Sequence, residues 1–243
     1  MSVRPAYAAA ADGLADRVLD ALCRGTDGAG LIARYVDGHP DPLAALAAVR
    51  VVGADVFVPC LLAGAPLRAE DADAVIRSFT AFPVPPGGQA SRSASAAWRD
   101  WATARLLVRL GADGAHRVAA PPPADDGVPG DPARWREWSL RMARLSPLAT
   151  PHLDGPVRVA ARGGAVALSR GLTRSLLRRD LPTAARLVRW LALLRHDGVT
   201  LPLDPAPALE HVALLAGRSP RTALDAAVAG RLPASGGPEA VAV

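Results

Sequence analysis

The stretch PVRVAARGGAVALS, residues 156–169, decides the fold, because two different structures can be read from it. As β-structure it is a hairpin turning on Gly163 and Gly164. As a helix it puts Val157, Ala161, Gly164, Ala165 and Leu168 on one face. That face continues through Leu172 and Leu176, all within about a third of a turn at ~100° per residue. The helical template accounts for more positions than the alternating one, so helix is favoured and the hairpin is the alternative.

Outward from this stretch the chain reads as α throughout. Leu14, Val18 and Leu22 follow at four-residue steps beside a stripe of Asp12, Asp16 and Asp20, which predicts an amphipathic helix over 6–23. The glycines of GTDGAG end it. A short helix over Leu31–Val36, an alanine- and leucine-rich helix from Pro42 and a helix over Glu70–Phe82 follow. FPVPPGGQASRSAS reads as a linker, with Ser95 as N-cap of the helix that carries WRDW at 98–101. PPPADDGVPGDP is a second break, with Asp131 as N-cap and Pro132 in the first turn of the helix carrying WREW at 135–138. Asp180 and Pro182 start a helix reaching His196, and two short helices are expected at 207–216 and 220–229. The expectation is an all-α multi-helix orthogonal bundle or short helical array. Its divisions are an N-terminal helical part (1–82), a linker (83–96), a Trp-helix and Arg-rich part (97–233) and a flexible tail (234–243), one compact domain overall being the alternative.

Composition removes several chemistries. All 28 basic residues are Arg, with no Lys and no Asn, and Gln89 is the only Gln. Without an ammonium there is no pyridoxal Schiff base and no P-loop. Cys23 and Cys60 fit no metal-ligand spacing, and neither an HExxH nor a GxSxG motif occurs. No metal and no cofactor is called for. The N-terminus runs straight into an amphipathic pattern rather than a signal peptide, so a reduced, cytoplasmic protein is expected. The most apolar window, Val51–Ala65, is interrupted by Asp55 and Pro59 and is shorter than the roughly 20 residues of a membrane span. It is expected to be buried core, with no membrane contact.

Charge is concentrated in one region. Residues 1–120 hold 12 Arg and 12 acids, whereas 134–195 hold 13 Arg against only Glu137, Asp154 and Asp180. Arg170, Arg174 and Arg178 stand four apart opposite the Leu168, Leu172 and Leu176 stripe, and Arg179, Arg186 and Arg189 flank the next turn. Like charges at this spacing repel, which points to an anionic partner gripped by guanidinium forks. An exposed solubilising face accounts for single arginines equally well. Trp98 with Trp101, and Trp135 with Trp138, share helix faces and suit core anchors better than ligand walls. Glu137, set among Arg136, Arg141 and Arg144, is a candidate base, as are Asp100 and His196. Substrate-binding candidates are Arg136, Arg141, Arg174, Arg178, Arg186, Arg189, Trp98 and Trp135.

At RGLTRSLLRRDLPTAARLVRWLALLRHDGVTLPL, residues 170–203, the chain resembles small helical proteins of actinobacterial natural-product clusters, such as the larger subunit of azinomycin-type aziridine-forming enzymes. The resemblance is one of size, composition and helical pattern over the C-terminal half. It implies a ring-forming, transferase- or lyase-like displacement in antibiotic biosynthesis, in which an amine expels sulfate or phosphate. It also implies a substrate tethered to an acidic carrier protein, and a small partner subunit in a heteromeric complex. The functional expectation is therefore an enzyme or catalytic subunit acting on an anionic small-molecule substrate. A DNA-binding or regulatory helical protein and a non-catalytic companion subunit are the alternatives. Base readout would rest on Arg alone, which disfavours nucleic acid.

Overall fold

The computed structural model describes residues 3–25, 30–83, 94–123, 128–215 and 219–232, and among them there is no strand. The helices are α1 (Val3–Arg24), α2 (Leu31–Asp37), α3 (Pro42–Val52), α4 (Val58–Leu62), α5 (Ala69–Ala81) and α6 (Ala94–Arg109). After a long connection come α7 (Trp135–Arg144), α8 (Pro156–Gly163), α9 (Ala165–Leu177), α10 (Leu181–His196), α11 (Ala206–Leu215) and α12 (Pro220–Arg231).

The ambiguous stretch is helical, divided at Gly164 between α8 and α9. Its glycines serve close packing rather than a hairpin turn. A Cβ on Gly164 would run into the Trp138 ring, and one on Gly171 would meet Ser139. Both contacts let α7 lie directly against α8 and α9. The α9 end is a Schellman turn: Asp180 N–H donates to Ser175 C=O at 2.9 Å and Arg179 N–H to Leu176 C=O at 3.0 Å. Arg179 occupies the left-handed position, φ 57°, where glycine is the usual residue. The Asp180 carboxylate then caps α10 by accepting from Thr183 N–H.

One apolar core runs through both halves of the chain. Its centre is α10, where Leu187, Val188, Trp190, Leu191, Leu193 and Leu194 are fully buried. The α1 helix packs on α3 and α12, bringing the N- and C-terminal parts together. Trp190 donates its indole N–H to Met142 C=O at 2.8 Å, tying α10 to α7.

Three local expectations change. Ser95 lies inside α6, which already includes Ala94, so it is not the N-cap. Asp131 caps as expected, accepting from Ala133 N–H, but the capped turn is a 3₁₀ turn over Pro132–Arg134 that precedes α7. The apolar run is longer than Val51–Ala65: Pro42–Leu62 is long and apolar enough to cross a membrane. Its most apolar 18-residue window is nevertheless two-thirds buried, and the run is interrupted by the 3₁₀ turn Gly53–Phe57 and carries the ion-paired Asp55. It is the core segment that the sequence suggests. The linker residues 84–93 and the tail 234–243 lie outside the described residues.

Candidate functional site

The central feature is a charged residue in the helix at the centre of the core. Arg189 of α10 is fully buried, and its three donor groups are spent on three partners. Nη2 donates to Asp55 Oδ1 at 2.6 Å, Nη1 to Asp225 Oδ1 at 3.1 Å, and Nε to Ala149 C=O at 3.2 Å. Ser146 Oγ also donates to Asp225 Oδ1, at 3.0 Å. Asp55 comes from the 3₁₀ turn after α3, Ala149 from the end of the 3₁₀ turn Ser146–Leu148 that follows α7, and Asp225 from α12, so one guanidinium joins three distant segments. Burial opposes the charge on Arg189, but the two carboxylates outweigh it and hold the guanidinium protonated. Burial pushes the Asp225 carboxyl up and the charge on Asp55 adds to this, against the opposing pull of Arg189 and Arg186.

This cluster forms the floor of a cavity of about 300 Å³ where α6 and α7, the tryptophan helices, meet α10 and α12. Asp55, Ser146 and Asp225 line it, with Val52, Leu224 and Ala143 as the apolar part of the wall. Neither carboxylate is fully engaged. Asp225 Oδ2 stands 3.6 Å from Arg186 Nε, beyond hydrogen-bond reach, and Asp55 Oδ2 has no hydrogen bond among the described residues. Four arginines stand around them: Arg99, Arg144, Arg186 and Arg221. Arg221 pairs with Asp12 at 2.7 Å, and Arg99 Nε donates to Ser95 C=O. Arg144 has no ion pair among the described residues. A pocket of this size, with a buried carboxyl of raised pKa beside guanidinium forks, can hold a small anion and exchange a proton with it.

Of the residues singled out from sequence, Arg186 and Arg189 belong to this site. Arg174 and Arg178 do not join them: on α9, whose buried face packs on α7 and α10, Arg178 is exposed and Arg174 half-buried. Of these three substrate-binding candidates, Arg186 lines the cavity and Arg174 and Arg178 do not. Glu137 is exposed, in an open depression with Arg134 and Arg141. Asp100 is bound to Arg50 at 3.0 Å, and the Arg50 guanidinium stacks 3.8 Å from the Phe79 ring centroid. His196 ends α10 half-buried, next to Asp197, whose carboxylate is clasped by Arg158 and Arg162. Arg136 lies over the Trp135 ring at 5.2 Å, and Arg141 is exposed.

The tryptophans are anchors and do not line the cavity. Trp98 is fully buried with Trp101 edge-on at 5.4 Å. Trp138 is buried against Gly164 and donates to Pro129 C=O, while Trp135 is half-buried against the core.

Asp55, Asp225, Ser146 and Arg144 complete the site without having been picked as site residues from sequence. One signal was present: Asp55 interrupts the most apolar window of the chain, and an acid there has to be compensated. Comparison with protein-family models, with curated proteins and with solved structures returns no match.

Proposed function

We propose that the protein binds a small anionic molecule in the cavity between α6, α7, α10 and α12 and acts on it as an acid–base catalyst. Arg144 and Arg186 hold the anion, and Asp225 carries the proton. The observation behind this reading is a carboxyl more than nine-tenths buried, with raised pKa, facing a small cavity ringed by guanidinium groups. Burial brings its proton exchange nearer neutral pH, which is what general acid–base work requires. Ser146 and Arg189 fix one oxygen of Asp225 and leave the other to exchange the proton.

The ring-forming displacement that the resemblance implies is one reaction of this class. The amine nitrogen forms the new C–N bond, the C–O bond to sulfate or phosphate breaks with its electron pair leaving on oxygen, and the ammonium proton passes to Asp225. Asp225 takes the role expected of Glu137 or Asp100, since the first is exposed and the second is held in an ion pair.

The test is equilibrium binding of sulfate, inorganic phosphate and small carboxylates, followed by NMR of the arginine Nε–H signals. Saturable binding that weakens at least tenfold in Arg144→Ala and Arg186→Ala is expected. Binding that survives both substitutions, or none at millimolar concentration, overturns the reading.

A further inference from the structure

A second feature stands apart from the cavity. Elsewhere on the surface several arginines have acidic partners, Arg24 with Asp20, Arg77 with Asp37, Arg195 with Asp204 and Arg221 with Asp12, and those without an ion pair among the described residues, such as Arg68, Arg105 and Arg117, are far apart in the sequence. On α7 with its preceding turn, and on α9, such arginines are clustered. Arg134, Arg136, Arg141, Arg170, Arg174 and Arg178 have no ion pair among the described residues. No acid at all occurs from Pro156 to Arg179. Arginines four apart on one helix repel, so the isolated chain carries an unfavourable arrangement that an opposite charge would relieve.

The two helices form one surface. Gly171 of α9 meets Ser139 of α7, and Arg174 and Arg178 stand one and two turns from that contact, with Arg136 a turn away on the other helix. Aliphatic side chains are interleaved with the charges. On the same face of α9 the order is Val166, Arg170, Arg174, Leu177 and Arg178, with Val166 53% and Leu177 81% exposed, and Leu140 of α7 is 41% exposed.

We infer that the α7–α9 face is a docking surface for a protein partner that presents carboxylates interspersed with apolar side chains, in the manner of an acidic amphipathic helix. Charge complementarity supplies the carboxylates. The exposed leucines and valine supply the apolar half, for which a phosphodiester backbone has no counterpart. A lipid surface fits less well, because these aliphatics are separated by arginines and include no aromatic, whereas an interfacial helix segregates its apolar face.

The test compares three probes by fluorescence anisotropy or co-sedimentation at low ionic strength. They are a 20-residue helical peptide of Glu and Leu, a 20-base-pair duplex DNA, and vesicles of phosphatidylglycerol. Peptide binding is expected to be the tightest. It should weaken at least tenfold in the Arg170→Ala, Arg174→Ala, Arg178→Ala triple variant and at least threefold in Leu177→Ser. A control triple at exposed arginines elsewhere, Arg68→Ala, Arg105→Ala and Arg117→Ala, should stay within twofold of the parent. Tighter binding of DNA or vesicles overturns the inference, as does equal loss in the control triple, indifference to Leu177→Ser, or no peptide binding. Since the cavity contributes none of these α9 residues, failure here leaves the anion-binding reading of Arg144 and Arg186 standing.

Discussion

Arg189→Met tests the central network most directly. The substitution keeps an unbranched side chain of similar reach but removes hydrogen bonds of 2.6, 3.1 and 3.2 Å to Asp55, Asp225 and Ala149. It leaves two carboxylates, each about nine-tenths buried, facing each other without their shared cation. Removing one partner of a buried pair costs about 3–5 kcal/mol. At ~2–4 °C per kcal/mol for a chain of this size, the melting temperature should fall by roughly 6–20 °C. The loss should depend on pH in a definite sense. The Asp225 carboxyl is raised in the folded state, so protonating it favours folding; removing the guanidinium raises it further. The gap between variant and parent should therefore shrink as pH falls from neutral toward the ordinary Asp value of ~3.9. The triple variant Arg189→Met, Asp55→Asn, Asp225→Asn removes charge from all three positions and should recover most of the loss, since neutral replacement of a buried ion cluster is often close to neutral in stability. Urea and thermal unfolding across pH measure all of this. A single-variant loss under about 1 kcal/mol, or a triple variant as unstable as the summed singles, would refute the assignment of Arg189 as the compensating charge.

Other perturbations address single elements. Gly164→Ala should destabilise by about 1–3 kcal/mol, because its Cβ meets the Trp138 ring; an unchanged melting temperature would mean the α7–α8 contact is looser than it stands. Arg179→Gly should stabilise by about 0.5–1 kcal/mol, since φ 57° is strained for arginine and free for glycine. Burial pushes the Asp197 carboxyl up, but Arg158 and Arg162 outweigh it and hold the carboxyl below its usual range. Its contribution is therefore complete above ~3.9 and lost as pH falls through the lowered value, so Asp197→Asn should flatten the acid limb of the stability curve. Burial and the Asp71 charge push the Cys60 thiol up to about 11, so a thiol reagent at pH 8 should label the exposed Cys23 first.

Periodicity made the helices legible because it reports which face is buried, although α10 from Leu187 to Leu194 is buried on every side. The glycine pair at 163–164 was ambiguous for a physical reason: glycine enters a hairpin for its free φ and a helix pair for its missing Cβ, and sequence spacing alone does not separate the two. Trp138, placed on the packing face by its spacing, is the residue that fills the space at Gly164. The site was less legible, since its parts are contributed by residues as distant as Asp55 and Arg189, 134 positions apart. No local pattern encodes that pairing. The clustered arginines drew attention by their number, yet Arg189 differs from Arg174 and Arg178 in lying within Leu187–Leu194, where α10 is buried on every side. Glu137 stood out by rarity and proved exposed.

A fully buried guanidinium at the centre of α10 is an expensive way to hold three segments together, and a well-packed apolar cluster would do so at less desolvation cost. What the charged cluster adds is the state of the cavity floor. Each guanidinium nitrogen of Arg189 donates to one of these partners and the residue does not line the cavity, so it fixes Asp55 and Asp225 without itself reaching a ligand. Ser146 takes up the same Asp225 oxygen, and the remaining oxygen is left opposite Arg186 at a distance too long for a hydrogen bond. That spacing leaves Arg186, one-third exposed, able to turn toward an arriving anion without breaking a hydrogen bond to Asp225. When it turns, Asp225 loses a neighbouring positive charge and its carboxyl rises further, so it takes up a proton more readily at the moment the anion is bound. The same residues thus account for both the stability of the core and the coupling of anion binding to proton transfer. The two are separable: Arg186→Ala should abolish the coupling, read as proton uptake on sulfate binding in two buffers of different ionisation enthalpy, while leaving the buried Arg189 pairs and the melting temperature nearly unchanged.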